Sequence, residues 1–220
     1  GDPDGSFTRL QFERFTSAVK QIEAKGINLG IKHCSNSAAT IAFPDMQLDM
    51  VREGITLYGL APSADINIDG FKPLMSLKAG VSMVKNVAKG EDISYGRTFT
   101  AEDNIEVATV PIGYADGYLR AYGKGYVLVK GNRAKIVGRI CMDQMMVDVT
   151  GLGVKAGDTV TLFGNDGSRS LPVEELSKLA GTINYETVCL ITKRVPRVYI
   201  KNDVIVGVAD DILRYKGEKQ

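Results

Sequence analysis

The chain has 220 residues, of which 44% are hydrophobic and 24% are charged, and its formal net charge is +1. This balance gives no support for binding to nucleic acid or to an anionic membrane surface, and no apolar run approaches the ~20 residues that span a bilayer. The three cysteines, Cys34, Cys141 and Cys189, are odd in number and widely spaced, which disfavours a disulfide framework or a zinc site and favours a reducing cytoplasm.

An amphipathic helix is predicted over residues 8–25, because apolar residues recur there at spacings of three and four. These residues are Phe12, Phe15, Val19 and Ile22. Thr8 and Gln11 form a predicted capping box at the helix start, and Gly26 is predicted to stop the helix.

Two short strands with a short helix between them are predicted next. The strands cover residues 27–31 and 48–52, and the helix covers residues 36–42. Polar side chains follow each strand, as they do where a (β/α)8 barrel carries its active site. Ser37, at the start of the helix, offers a hydroxyl and backbone N–H groups, which suit a phosphate, although a serine there is also an ordinary helix cap.

From about Gly70 the sequence changes to short β-type runs separated by turns. The runs cover residues 74–85, 106–111, 126–130, 133–137, 145–149 and 159–163. Strands at this close spacing predict an antiparallel β-barrel or sandwich. A helix that begins near Pro172, a short helix over residues 184–192 and a last hairpin around Asn202-Asp203 complete the prediction.

A tyrosine between two glycines marks the end of the run over residues 106–111. Gly113 precedes Tyr114, and Asp116 and Gly117 follow it. Glycines on both sides suit a tight turn that projects a side chain from a strand end, and a tyrosine hydroxyl can act as an acid or a base. The same pattern is typical of a surface turn with a packed tyrosine, which is the interpretation that the spacing alone favours.

Five ordered stretches resemble the alanine racemases, which use pyridoxal phosphate. The run Gly113–Tyr118 and the run Ile136–Thr150, which includes Cys141-Met142-Asp143-Gln144, closely resemble the C-terminal domain of that family. The remaining stretches are His33–Ala39, Met50–Gly59, and Gly181–Glu186 taken with Arg194–Tyr199. The resemblance extends from about Gly1 to Val208.

The resemblance implies an α/β plus all-β fold, with part of a (β/α)8 barrel over residues 1–66 and an antiparallel β-barrel or Greek-key-like domain over residues 67–220. It implies the interconversion of L-alanine and D-alanine by two bases on opposite faces of Cα, with pyridoxal phosphate as cofactor and D-alanine supplied for peptidoglycan. It also implies a cytoplasmic homodimer in which the β domain of one subunit completes the site of the other.

Individual positions match functional residues of the family. Tyr114 matches the catalytic tyrosine, and Met142 matches the residue whose backbone N–H meets the substrate carboxylate. The matches to cofactor contacts are Ser37, Arg52, Gly54, Ile55 and Tyr185, with Arg52 facing the pyridine nitrogen. His33 matches the histidine that hydrogen-bonds this arginine, and Asn36 is a further supporting residue. The matches to residues that line the entrance or support these groups are Asp143, Tyr126, Arg133 and Arg139, for which ordinary packing or surface charge is an equal alternative.

Three functional residues of the family have no counterpart here. The lysine that forms the Schiff base with pyridoxal phosphate, a carbamylated lysine and a carboxylate-binding arginine all lie upstream in the family. The chain is therefore expected to be about the C-terminal three-fifths of the enzyme and inactive alone, with the missing barrel half as a further partner.

Three other interpretations stay open from the sequence. The chain could be an isolated, non-catalytic β-domain fragment that dimerises, a serine-type racemase, or a decarboxylase with the same domain plan. Tyr185 keeps the alanine-type residue and weighs against serine. The matches over Gly113–Tyr118 and Cys141–Gln144 weigh against the decarboxylase.

Overall fold

Two units follow one another along the chain, Gly1–Met75 and Ser76–Gln220. The computed structural model describes residues 4–212. No helix within that range is both long enough and apolar enough to cross a lipid bilayer.

The first helix, α1, spans Ser6–Glu23. The four apolar residues predicted to share one face of this helix are all partly buried, which confirms the predicted periodicity. The predicted capping box of Thr8 and Gln11 is wrong, because the helix begins two residues earlier. The Asp4 carboxylate accepts the N–H of Ser6 at 2.7 Å, ahead of the first turn.

Three short helices complete the first unit. They are α2, Ser37–Ala42, and the 3-10 helices Pro44–Met46 and Ile55–Tyr58. Asn36 caps α2, since its side-chain oxygen accepts the N–H of Ala39 at 3.0 Å. The predicted helix near residues 36–42 is therefore confirmed.

The two strands predicted in the first unit are wrong. Residues 27–31 and 48–52 form no ladder, and the described part of this unit contains a single parallel bridge, between Asn36 and Arg52. A strand exists only where a neighbour satisfies its backbone groups. Ile27 and Ile31 are exposed instead of packed between neighbouring strands.

Short strands and two helices build the described part of the second unit. The strands are β1 Leu77–Gly80, β2 Met83–Val87, β3 Asp92–Ile93, β4 Phe99–Thr100, β5 Ile105–Val110, β6 Tyr126–Val129, β7 Asn132–Val137, β8 Met145–Asp148, β9 Thr159–Asp166, β10 Arg169–Leu171, β11 Arg197–Lys201 and β12 Val204–Ala209. The helices are α3, Val173–Ala180, and α4, Asn184–Leu190, with 3-10 helices at Tyr95–Arg97, Tyr114–Asp116 and Arg120–Lys124.

Eight of these strands form one antiparallel sheet. Its order is β1-β9-β6-β7-β8-β5-β2, and β10 pairs with β9. The edge strands β1 and β2 are consecutive in the chain and are joined by Val81 and Ser82. The N–H of Val81 bonds to Asp158 on one side and that of Ser82 bonds to Thr109 on the other. The sheet therefore curls on itself like a barrel, as predicted.

The core of the second unit lies on the inward face of this sheet. In β8, Met145 and Val147 are fully buried, while the alternate residues Met146 and Asp148 are partly exposed. This alternation of period two is what a sheet with one buried face requires. Burial of the apolar face is the main favourable term in folding such a unit.

A separate hairpin, β11–β12, follows the helices. It turns at Asn202 and Asp203, which both have positive φ, and this confirms the predicted last hairpin. Its apolar side chains are mostly in contact with solvent: Ile200, Val204, Ile205 and Val206 are all more than half exposed.

Candidate functional site

Arg52 and His33 form the first cluster of predicted site residues. Arg52 Nη1 donates to His33 Nδ1 at 2.6 Å, and Arg52 Nη2 donates to the Cys34 carbonyl at 3.2 Å. Arginine has no acceptor, so His33 Nδ1 must receive this bond. The pair holds a permanent positive charge at a fixed place beside the Asn36–Arg52 bridge.

Ser37 lies next to this pair and is buried. Its oxygen accepts the backbone N–H of Gly54 at 2.8 Å, and the Thr56 hydroxyl lies 3.1 Å away. Thr56 also bonds to the Glu53 carboxylate. Ile55 begins a 3-10 helix, so its N–H has no partner within that helix.

These groups have the chemistry that pyridoxal phosphate requires. A phosphate accepts hydrogen bonds from hydroxyl and backbone N–H groups, which Ser37, Gly54 and Ile55 carry, and a guanidinium stands nearby on Arg52. The described residues of the first unit therefore fit the cofactor in two respects: they carry donors for its phosphate, and Arg52 is a donor for its ring. Within residues 4–212, no three histidine, cysteine or acidic side chains are placed to hold a metal ion.

Tyr114 occupies a turn of the second unit that is fixed by backbone hydrogen bonds. Its N–H bonds to the Cys141 carbonyl at 3.1 Å, and the N–H of Ala115 bonds to the Met142 carbonyl at 3.0 Å. Within the turn, the Asp116 carboxylate accepts the N–H of Gly113 at 2.9 Å. The main chain is thus held from two sides, while the Tyr114 side chain is 41% exposed.

Gly113 and Gly117 are required where this turn touches its neighbours. A Cβ on Gly113 would lie 2.2 Å from the Cys141 carbonyl oxygen, and one on Gly117 would lie 2.1 Å from that of Leu190. Gly117 also has a φ of 97°, which L side chains rarely adopt. The turn with glycines on both sides, predicted from the sequence, is therefore confirmed.

Met142 and Asp143 form the tip of the neighbouring turn, between β7 and β8. The Met142 side chain is 53% exposed, while its carbonyl is engaged by Ala115. The Cys141 N–H closes the turn on the Gln144 carbonyl at 2.9 Å. Tyr114, Met142 and Asp143, predicted from separate motifs, are therefore close together in the fold.

Tyr126 and Arg133 lie together on another part of the β domain. The Tyr126 hydroxyl bonds to the Glu175 carboxylate, Arg133 pairs with the same carboxylate at 3.3 Å, and the Arg133 guanidinium stacks 3.9 Å from the Tyr126 ring centre. Burial and the Glu175 hydrogen bond raise the pKa of Tyr126 to about 12. This phenol therefore stays protonated near neutral pH.

Arg139 and Tyr185 are the last two predicted residues. Arg139 packs over Gly96, where a Cβ would lie 2.9 Å from Arg139 Nη1, and its carbonyl accepts the Ser94 hydroxyl at 2.7 Å. Tyr185 is the second residue of α4, and partial burial raises its pKa.

Sequence reasoning missed two residues that hold the Tyr114 turn. Asp116 was seen only as an aspartate near the tyrosine, and Arg194 only as part of a matched stretch. Arg194 contacts the carboxylates of Asp116 and Asp143, at 3.4 Å and 2.6 Å. The spacing of three from Gly113 to Asp116 suits a side chain that caps a short helix, and it was the available signal.

Two family models match the chain. Residues 1–62 match the alanine racemase N-terminal domain, and residues 74–199 match the alanine racemase C-terminal domain. Together the matches cover nearly all of the region over which the sequence resemblance was drawn.

Named relatives and solved structures agree with these matches. The chain is 48% identical over 200 residues to the alanine racemase of Methanococcus maripaludis and 50% identical over 203 residues to that of Desulforamulus reducens, in each case over 90% of this chain and 54% of the relative. The structure of alanine racemase from Bacillus anthracis with bound L-Ala-P has a TM-score of 0.91 at 37% identity and covers 96% of this chain and 55% of that one. The Clostridium difficile 630 enzyme in complex with cycloserine has a TM-score of 0.90 at 41% identity, over 96% and 57%. The chain thus spans about half the length of the curated relatives it matches.

Proposed function

The chain belongs to the alanine racemase family, and we propose that it is the C-terminal part of a pyridoxal phosphate-dependent enzyme that interconverts L-alanine and D-alanine. The barrel part covers residues 1–66 and the β domain covers residues 67–220. The enzyme works in the cytoplasm as a homodimer and supplies D-alanine for peptidoglycan.

The observation that carries this proposal is the turn at Tyr114. The turn is rigid in its main chain, exposes the phenol, and lies against the Met142 turn. A base for the α-proton must be held in one geometry, because small displacements cost much of the rate. A phenol on a loose surface turn would not meet that condition.

Each predicted site residue has a defined task in this proposal. When bound, pyridoxal phosphate spreads the charge left on Cα after proton loss into its ring. Tyr114 Oη exchanges the proton on one face of Cα, and the Met142 N–H binds the substrate carboxylate. Ser37, Gly54, Ile55 and Tyr185 hold the phosphate.

Arg52 has a separate task at the cofactor ring. It is a permanent donor, so it would face the pyridine nitrogen of the bound cofactor without giving up a proton. His33 accepts from Arg52 and fixes the direction in which the guanidinium points. A ring nitrogen that stays unprotonated is a weaker electron sink, which limits side reactions.

The lysine that carries the cofactor, which is also the second base, lies outside this chain in our proposal. The 220 residues alone are therefore expected to be inactive, and racemisation should return when the N-terminal barrel half is supplied as a separate polypeptide. Activity of the isolated chain would contradict this division of the site.

The test of the function is Tyr114→Phe in the full-length enzyme. Racemisation should fall by about 10²–10⁴-fold, and exchange of the α-proton in deuterium oxide should fall more for one alanine enantiomer than for the other. The matched control is Tyr199→Phe, on the exposed face of β11. Small and equal losses for both enantiomers would overturn the assignment of Tyr114.

A further inference from the structure

Arg194 lies between two carboxylates that belong to the two turns of the candidate site. Its Nη2 lies 2.6 Å from Asp143 Oδ1, at the tip of the Met142 turn, and its Nε lies 3.4 Å from Asp116 Oδ1, in the Tyr114 turn. The planar, forked guanidinium can hold two carboxylates at once in a fixed relative position, which a lysine ammonium does less well.

Asp116 connects this guanidinium to the backbone of the Tyr114 turn. Its Oδ2 accepts the N–H of Gly113, the residue before the tyrosine, while Oδ1 faces Arg194. Asp116 is almost fully buried, so its carboxylate needs these partners. A movement of Arg194 would therefore be transmitted to the first residue of the turn.

The segment that carries Arg194 binds the same turn through its backbone. The N–H of Thr192 bonds to the Asp116 carbonyl at 3.0 Å, and the Thr192 hydroxyl bonds to the Ala115 carbonyl at 3.1 Å. The Leu190 carbonyl lies against Gly117. The turn is thus enclosed by residues 141–144 on one side and residues 190–194 on the other.

The pair between Arg194 and Asp143 is too exposed to matter chiefly for stability, and Asp116 keeps the Gly113 N–H as a partner when Arg194 is replaced. The side chains of Arg194 and Asp143 are 46% and 57% exposed, and ion pairs at such positions contribute little to folding. Asp143 and Asp116 raise the pKa of Arg194, so the guanidinium stays charged. Its two contacts instead set the relative position of the two turns.

We propose that Arg194 is a positioning residue for the racemase reaction, which fixes Tyr114 relative to Met142 by joining Asp116 to Asp143. The inference rests on the proposed function. It assigns a task to a side chain that touches neither substrate nor cofactor and acts only through the two turns.

The experiment compares Arg194→Gln, Arg194→Lys and Asp143→Asn in the full-length enzyme. Arg194→Gln should lower kcat by about 10–10²-fold, because a displacement near 1 Å of a reacting group has that effect. It should shift the ratio of α-proton exchange between the two alanine enantiomers in the same direction as Tyr114→Phe. Arg194→Lys should recover part of the loss, and the melting temperature should stay near that of the parent.

Two further measurements separate positioning from a structural role. Addition of Arg194→Gln to Tyr114→Phe should cost little more than Tyr114→Phe alone, because both act on one group. Hydrogen exchange of the Ala115 amide, bonded to Met142, should be faster in Arg194→Gln. The control is Arg169→Gln, at an exposed position of β10, for which neither value should change.

The outcomes distinguish the inference from the function. If Tyr114→Phe has its large asymmetric effect while Arg194→Gln is fully active, the inference fails and the function stands. Losses that multiply in the double variant also overturn it. If Tyr114→Phe has no effect, the function fails, and unchanged exchange at Ala115 in Arg194→Gln would then reject the positioning role independently. Should Arg194→Gln fold poorly, Asp143→Asn removes the negative charge from the exposed contact alone and answers the same questions.

Discussion

The backbone of Gly113 lies directly against the Cys141 carbonyl, so close that a Cβ on Gly113 would stand 2.2 Å from its oxygen. The Met142 carbonyl oxygen would be 2.4 Å away. Both neighbours are backbone atoms that also bind the Tyr114 turn, so they cannot rotate aside. This packing makes glycine the residue that the position requires.

Gly113→Ala is therefore expected to push the two turns apart. We expect the free energy of unfolding to fall by about 1–3 kcal/mol, the usual cost of forcing an extra carbon into a packed site, as measured by urea denaturation. The matched control is Gly80→Ala in β1, where nothing lies within 4 Å of the added Cβ. Its effect should stay within about 0.5 kcal/mol. Equal losses for both variants would show that the contact with Cys141 is not the cause.

Ser37→Ala tests the phosphate site of the first unit. It removes a hydroxyl that should bind phosphate and also the acceptor of the Gly54 N–H. A hydrogen bond to a charged group is worth about 1.5–3 kcal/mol, so the Kd for pyridoxal phosphate should rise by about 10–10²-fold. The measurement is a titration of cofactor-free, full-length enzyme. Ser17→Ala, on exposed α1, should leave the Kd unchanged, and an unchanged Kd for Ser37→Ala would remove Ser37 from the site.

Met142→Leu tests whether this residue acts through its backbone. A main-chain N–H keeps its position when the side chain changes, and leucine and methionine have similar volumes. The value of kcat/KM for either alanine enantiomer should therefore change by less than about threefold, since the interaction lost is well under 1 kcal/mol. A tenfold fall would mean that the thioether itself contacts the substrate.

Tyr126 should make the free energy of unfolding of the β domain fall as pH rises in the alkaline range. Burial and the hydrogen bond to Glu175 raise its pKa from 10.0 to about 12 in the folded chain. Because the folded state holds the proton more tightly, the stabilisation is complete below the unfolded pKa and is lost as pH rises through the folded one. The free energy of unfolding should thus fall more steeply between about pH 10 and 12 for the parent than for Tyr126→Phe. Parallel curves for the two proteins would contradict the raised pKa.

The β domain could be predicted closely because its signals are local. Alternating burial in β8 and the turn residues Asn202 and Asp203 need no knowledge of distant parts of the chain. The strands over residues 27–31 and 48–52 were predicted wrongly because an apolar run shows a tendency to pair but not whether a partner strand is present. The order of predicted helices and strands does not show whether a partner strand is present.

Part of the candidate site could likewise be predicted from local sequence, and part could not. The glycines around Tyr114 predict a turn from the sequence alone. The role of Arg194, by contrast, depends on contacts with Asp116 and Asp143, which lie far from it in the sequence. Such contacts follow from the tertiary fold and leave no periodicity. The resemblance to a family singled out Met142, Arg52 and its partner His33, whereas only the structure shows that the Ala115 N–H binds the Met142 carbonyl.

The contact of Thr192 with Ala115 joins residues 77 positions apart, and this has a consequence for the order of synthesis. A nascent chain that ends before Thr192 already contains the strands of the large sheet, but it lacks the segment that encloses the Tyr114 turn. Contacts between such distant positions close late, because the entropy of a long loop must be overcome first. We therefore expect the Tyr114 turn to acquire its final conformation only after residues 190–194 have been synthesised and have left the ribosome.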